Sequence, residues 1–291
     1  MICRHHIVLG TGIFLAALAL ASCVRRPASG LARTQAAIRI QAESEEQANG
    51  FITGQILDGA DGEIHYSYYL PPGYDESRNY PLMVAMPGYD AMWFGEPSSG
   101  KNLDWRGTLV WTEREEDLIV VSAQLTDWGE KSARQVIELT EYMLENFSVD
   151  RARVYGVGYS AGGETMSRAI SMRPDLFAAY LHGASQWDGT FDTVAESGVA
   201  VYIFMAENDE YYGSQKAREA YEGLYKAYGQ AGWSREQIGE LLKLEILEDS
   251  YFNSQGIYHY HGGGNIVLEE ERVQNWILSK SRSGTVMDIT E

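Results

Sequence analysis

The stretch Arg153-Val154-Tyr155-Gly156-Val157-Gly158-Tyr159-Ser160-Ala161-Gly162-Gly163 constrains this chain more than any other. An apolar run suited to a strand enters Gly158-Tyr159-Ser160-Ala161-Gly162, and a helical composition of Ala, Met, Ile and Arg follows. Glycines two before and two after a serine let a strand and a helix crowd around a sharp turn, the pattern of a nucleophile elbow. Such a turn lifts the serine hydroxyl clear of the sheet. The helix behind it aims backbone N–H groups and its positive dipole end at the same spot. The five-residue pattern alone recurs in glycine-rich loops; the strand before and the helix after make Ser160 a candidate nucleophile.

The remaining segments supply a sheet to hold this turn. Residues 51–57 and 64–70 are strand-like around the turn Asp58-Gly59-Ala60-Asp61-Gly62, which predicts an antiparallel hairpin. Pro81 opens Leu82-Met83-Val84-Ala85-Met86, a continuous apolar run expected of a strand covered on both faces. Further strands are predicted over 118–122, 178–183, 199–206 and 243–247, and helices over 132–147, 161 onward, 214–228 and 267–280. A further helix opens at Ser234, where Ser234 and Gln237 form a capping-box pattern. Strands alternating with helices after one hairpin predict an α/β fold, a mainly parallel sheet with helices on both faces.

Charge and cysteine content narrow the function classes. The chain carries 23 Lys and Arg against 41 Asp and Glu, a net charge of −18, which disfavours nucleic acid and anionic surfaces as direct partners. Its only cysteines, Cys3 and Cys23, precede residue 24, so no disulfide framework or Cys-based metal site is available to the body. Residues 1–23 have the export pattern: Arg4 with two histidines, an apolar run over 7–20, then Leu20-Ala21-Ser22-Cys23. That ending resembles the lipobox of bacterial lipoproteins, in which the peptide before the cysteine is removed and Cys23 would become the lipidated first residue. An ordinary cleaved signal peptide and a membrane-spanning anchor are the rival readings, and the apolar run is short for a span. Val24 is not the aspartate associated with inner-membrane retention. Residues 24–50, rich in Ala, Gln, Glu and Ser, are expected to be a tether, with the folded domain over 51–291. The expected location is the cell envelope, outside the cytoplasm and lipid-anchored.

A serine hydroxyl is a poor nucleophile until a base takes its proton, and that base needs a carboxylate to fix its tautomer. The order expected on this kind of sheet is Ser, then acid, then His. His65 lies in the early hairpin and His182 on the strand after the elbow helix, where a core role is expected. His259 and His261 remain, and His261, beside Gly262-Gly263-Gly264, is preferred as base with His259 as a substrate contact. The strand over 199–206 runs into Glu207-Asn208-Asp209-Glu210, which makes Asp209 the first choice of acid, Glu207 the second and Asp188 the third. Two N–H donors must face a developing oxyanion. The candidates are Ala161, directly after the serine, and Tyr89, after Pro87-Gly88.

Leu70-Pro71-Pro72-Gly73-Tyr74, Tyr80-Pro81-Leu82, Asp150-Arg151-Ala152-Arg153-Val154-Tyr155, the Ser160 elbow and Arg173-Pro174-Asp175-Leu176-Phe177-Ala178-Ala179 together carry a resemblance. Over residues 51–280 the chain resembles the esterase group of polyhydroxybutyrate depolymerases and feruloyl or acetyl-xylan esterases. The resemblance implies an α/β-hydrolase fold, no cofactor, and ester hydrolysis through an acyl-enzyme. By matching motif, it implies Ser160 as nucleophile, Asp209 as acid, His261 as base, and Tyr89 and Ala161 as oxyanion donors. This chain has Pro87-Gly88 where that group has His-Gly, and it adds a helical segment over 214–242.

Trp93, Trp105, Trp128, Trp187, Tyr211 and Tyr212 fall on predicted loops, where aromatic faces can stack on a phenolic acyl group or a sugar; about half are expected in the core instead. Trp93, Trp187, Tyr211 and His259 are the candidate substrate contacts. The leading expectation is an envelope-tethered carboxylesterase acting on small or polymeric esters. A serine peptidase related to prolyl oligopeptidases shares the triad order, but those relatives add a propeller of several hundred residues, for which 291 residues leave no room. A binding module on a hydrolase scaffold would not need three ordered catalytic residues. No metal site is expected: His259 and His261 offer only two ligands.

Overall fold

A computed structural model describes residues 47–92, 101–114 and 117–282. The leader, Cys23, most of the tether and Trp93 lie outside the described residues. Within them a nine-stranded sheet runs in the order β1-β2-β3-β5-β4-β6-β7-β8-β9. Its strands are β1 (Gln47–Ala48), β2 (Phe51–Gly59), β3 (Gly62–Tyr69), β4 (Tyr80–Met86), β5 (Ile119–Gln124), β6 (Val149–Tyr159), β7 (Ala179–Gly183), β8 (Ala200–Ala206) and β9 (Leu242–Leu247). The first three strands are antiparallel to their neighbours, and β3 meets β5 antiparallel. From β5 through β9 every pairing is parallel.

The hairpin expected between residues 51 and 70 forms, with Ala60 and Asp61 as its two-residue turn. Alternation along the central strands divides the core in two. Leu82, Val84, Val154, Val201 and Ile203 face one apolar layer, together with α2 (Glu130–Asn146), α3 (Ala161–Met172) and α5 (Ser214–Gln230). Met83, Ala85, Tyr155, Val157 and Phe204 face the other, with Val273 and Ile277 of α9 (Glu271–Leu278). This two-sided burial explains why β4, with all seven residues buried, reads as unbroken apolar sequence. The remaining helices are short: α1 (Arg106–Leu109), α4 (Asp192–Glu196), α6 (Arg235–Leu241), α7 (Asp249–Asn253) and α8 (Tyr260–Gly263). Ser234 and Gln237 close the expected capping box at the start of α6, each side chain bonded to the other's backbone N–H.

One local expectation needs correction. The closing helix begins at Glu271 rather than at 267, because residues Gly264–Glu269 coil as a tighter 3-10 turn. The adjacent Val267 and Leu268 are both fully buried by that turn before Glu270, in extended conformation, redirects the chain into α9. Trp111 belongs to the core: it is 1% exposed, and its indole N–H donates to the Gly107 carbonyl at 2.8 Å. Among the described residues no helix is long and apolar enough to cross a membrane.

Candidate active site

Ser160 sits between the end of β6 and the start of α3 with φ 55° and ψ −127°, a conformation that non-glycine residues rarely adopt. Holding a residue there costs on the order of 1–3 kcal/mol, which the surroundings must enforce. They do so through the backbone. Ser160 N–H donates to Gly183 O at 3.1 Å, and Gly163 N–H donates to Ser160 O at 2.8 Å. The Ser185 hydroxyl donates to the same carbonyl at 2.7 Å. The glycines of the motif are explained by contact. A Cβ at Gly162 would stand 2.2 Å from the carbonyl oxygens of Met86 and Pro87, and one at Gly163 would stand 2.5 Å from Ser185 Cβ. The elbow and the end of β4 are pressed together there.

His261 and Asp209 arrive from two other strand ends. Asp209 follows β8, and its Oδ1 accepts the N–H groups of Tyr211 and Tyr212 at 3.0 and 2.8 Å. Its Oδ2 lies 2.7 Å from His261 Nδ1, and His261 Nε2 lies 3.0 Å from Ser160 Oγ. The tautomer that satisfies both bonds donates Nδ1–H to Asp209 and leaves Nε2 to accept from the serine. Burial pushes the Asp209 carboxyl upward, but the hydrogen bonds from His261 and from the Tyr212 and Tyr211 N–H groups outweigh it and hold the acid below its usual range. The structure therefore brings Ser160, His261 and Asp209 into one relay.

The turn carrying His261 is fastened separately. Glu210 accepts the N–H groups of Tyr260 and His261 at 2.8 and 2.7 Å. Its carboxyl is likewise lowered: those bonds overcome burial, which acts the other way. The Tyr159 hydroxyl donates to the His261 carbonyl. His259 caps the same turn, its Nδ1 accepting Gly262 N–H at 3.0 Å, and its ring faces the cleft without entering the relay. Tyr211 packs on the His261 ring at a centroid distance of 4.6 Å, and Tyr212 at 5.7 Å. Glu210 was not singled out from sequence, because next to Asp209 it reads as one more solvated loop acid.

Ser160 opens onto a cleft of about 460 Å³ whose walls include Tyr89, Trp105, Trp128, Tyr211, Tyr212 and Glu164. Tyr89 and Trp128 meet edge to face at 5.6 Å, and Trp105 donates its indole N–H to Asn265. Ala161 is the first residue of α3, where a helical N–H has no intrahelical acceptor. Tyr89 begins a 3-10 turn directly after Gly88, and a Cβ at Gly88 would lie 3.3 Å from Ser160 Cβ. Both N–H positions named from sequence therefore flank the serine.

Three sequence candidates lie elsewhere. Trp187 is not in the cleft: it packs on His182, Phe191 and Tyr180 at 5.4, 5.8 and 6.0 Å. The cause is the adjacent Asp188, which ties this loop to α3 through Ser167 Oγ at 3.0 Å and Arg168 at 3.2 Å. The same ion pair removes Asp188 as the acid of the relay, and Glu207 faces Arg218 at 3.7 Å instead. His182 is fully buried on β7 against the Tyr180 hydroxyl at 2.8 Å, a core residue whose pKa burial lowers to about 3. Among the described residues no group of three or more His, Cys, Asp or Glu side chains is arranged to hold a metal ion.

Comparison with known proteins agrees with this architecture. Residues 122–233 match the model of the prolyl oligopeptidase family. Cutinase est2 of Thermobifida alba is 30% identical over 142 residues, 47% of this chain and 42% of the cutinase, so the chain spans less than half of that relative's length. The crystal structure of a thermostable esterase superposes with a TM-score of 0.68 at 21% identity, over 80% of this chain and 64% of that one. The feruloyl esterase module from Clostridium thermocellum, complexed with sinapinate, gives a TM-score of 0.51 at 16% identity, over 75% of this chain and 85% of the module. The elbow, the parallel strand order and these superpositions establish that the chain has the α/β-hydrolase fold.

Proposed function

We propose that this protein is a serine esterase, and the observation that carries the reading is the relay from Ser160 Oγ through His261 to Asp209 at 3.0 and 2.7 Å. His261 Nε2 takes the Ser160 proton as Oγ attacks the ester carbonyl. The resulting oxyanion is held by the N–H groups of Ala161 and Tyr89. Collapse of the tetrahedral intermediate expels the alcohol, which leaves with the proton from His261. Water, deprotonated by the same nitrogen, then attacks the acyl-serine and releases the acid. Asp209 keeps its negative charge throughout and orients the ring. The aromatic walls suit the acyl or alcohol parts of feruloyl, acetyl-carbohydrate or polyester-derived esters.

Labelling with a fluorophosphonate and turnover of aryl acetates test this directly. The wild type reacts and turns over; Ser160→Ala does neither. Retained hydrolysis by Ser160→Ala would refute the reading. The match of residues 122–233 to the prolyl oligopeptidase family favours peptide bonds as a second substrate class. Turnover of short esters against dipeptide amides decides between them, and the esterase reading expects the esters to dominate. The lipobox-like Leu20-Ala21-Ser22-Cys23 supports anchoring of the domain to a membrane outside the cytoplasm through Cys23. Cys23→Ser should shift the protein from the membrane to the soluble fraction of the cells that make it.

A further inference from the structure

One group in the cleft has no part in the relay. Glu164 lies on the first turn of α3, and its N–H donates to the Ser160 carbonyl at 3.2 Å. Its side chain forms part of the cleft wall although the residue is only 7% exposed. One carboxylate oxygen accepts the Tyr212 hydroxyl at 2.6 Å. A carboxylate has about four acceptor positions, so this one donor leaves capacity for further groups. Tyr212 is tied at both ends, its phenol to Glu164 and its N–H to Asp209.

A buried carboxylate is costly, and the elbow does not demand one. The close approaches that exclude a Cβ from the turn are at Gly158, Gly162 and Gly163. The nearest cation along the helix, Arg168, is engaged with Asp188 at 3.2 Å. Asp90 adds a second acid to the cleft wall, and among the described residues its lining includes no lysine or arginine. Histidines 259 and 261 are the titratable nitrogen groups among its described residues. A substrate entering beside Ser160 therefore meets acidic side chains with no lysine or arginine opposite them among the described residues of the cleft.

We propose that Glu164, braced by Tyr212, is a specificity-determining residue forming an acidic subsite beside Ser160. It admits uncharged and cationic esters and turns away esters that carry a carboxylate close to the scissile bond. This inference rests on the serine-hydrolase reading above. Two charges about 7 Å apart in a partly buried site interact strongly enough to change occupancy by about tenfold or more. Because the carboxylate is buried, bulk salt screens it less than a surface charge.

The test uses three rigid esters with one leaving group: 4-nitrophenyl benzoate, 4-nitrophenyl 4-carboxybenzoate and 4-nitrophenyl 4-(trimethylammonio)benzoate. Rates are corrected for uncatalysed hydrolysis, and the readout is the ratio of kcat/KM for the cationic ester to that for the anionic one. In the full-length wild type the ratio exceeds tenfold. Glu164→Gln keeps an oxygen to accept the Tyr212 hydroxyl but removes the charge, and lowers the ratio about tenfold. Tyr212→Phe keeps the charge and therefore keeps the ratio. If Glu164 serves only to hold Tyr212, both variants change turnover of all three esters alike and the ratio survives, which overturns the subsite. Wild type that labels with fluorophosphonate yet treats the three esters equally overturns it too. Wild type that neither labels nor hydrolyses any of them overturns the hydrolase reading instead.

Discussion

Replacing Gly162 with alanine tests how the serine and the proposed oxyanion loop are held in register. A methyl group there would stand 2.2 Å from both the Met86 and the Pro87 carbonyl oxygens, against a closest real approach of 3.0 Å. Either β4 or α3 must therefore retreat by at least 0.8 Å, the difference between those two distances. Both opposing atoms are backbone, so no side-chain rotation absorbs the change. The displaced residues run directly into Gly88 and Tyr89, and the shift carries one N–H donor away from Ser160. Losing such a donor costs about 3 kcal/mol of barrier, or roughly 10²-fold in rate. Overpacking of this kind also destabilises by about 1–3 kcal/mol. Measured on 4-nitrophenyl acetate, Gly162→Ala should lose about 10²-fold in kcat/KM, with the change mainly in kcat, while thermal unfolding shows a folded protein. Gly229→Ala is the matched control. It lies in α5 with nothing within 4 Å of its Cβ position, and should gain about 0.5–1 kcal/mol with unchanged kinetics. A folded Gly162→Ala protein within threefold of wild-type kcat/KM would show that the close contact is irrelevant to the chemistry.

Other substitutions separate chemistry from stability. Asp209→Asn places an amide beside His261 Nδ1 and favours the wrong tautomer, so kcat should fall by about 10⁴-fold, about 5 kcal/mol, in steady-state assays. Because the folded-state Asp209 carboxyl is lowered, its contribution to stability is present above its unfolded value of 3.8 and is lost as pH falls through the folded one. The stability gap between wild type and Asp209→Asn, followed by denaturant unfolding, should accordingly narrow below about pH 3.8. Glu164 has the opposite sign: burial, the largest influence, raises its carboxyl, so its ionised form costs stability at neutral pH. Glu164→Gln should therefore unfold at a higher temperature than wild type at pH 7, with the difference fading as pH falls toward 4.5; a variant less stable at pH 7 would contradict the assignment.

Reading the sequence reached far wherever the constraint was local. The elbow is encoded in consecutive residues: glycines that must lack a Cβ because Met86, Pro87 and Ser185 press on them, and a serine forced to positive φ. The two-sided burial of β4 and the capping box at Ser234 are equally short-range, since each depends on residues within a turn or a strand of one another. Chain order also pointed to Asp209 and to the pair His259 and His261, because parallel strands bring their carboxyl ends to one edge. What stayed out of reach was the choice made between loops. His259 and His261 are two residues apart and chemically identical; only the Glu210 carboxylate, gripping the backbone of residues 260 and 261 from 50 and 51 positions away, turns His261 toward Asp209 and leaves His259 capping the turn. Trp187 looked like a cleft residue until the tie between Asp188 and α3 drew its loop aside. The pairing of Glu164 with Tyr212 spans 48 residues and has no signature in either segment. Local steric demands are written in neighbouring residues and survive as motif. The hydrogen bonds that orient a site join residues whose separation along the chain is arbitrary, so only the folded sheet could decide them.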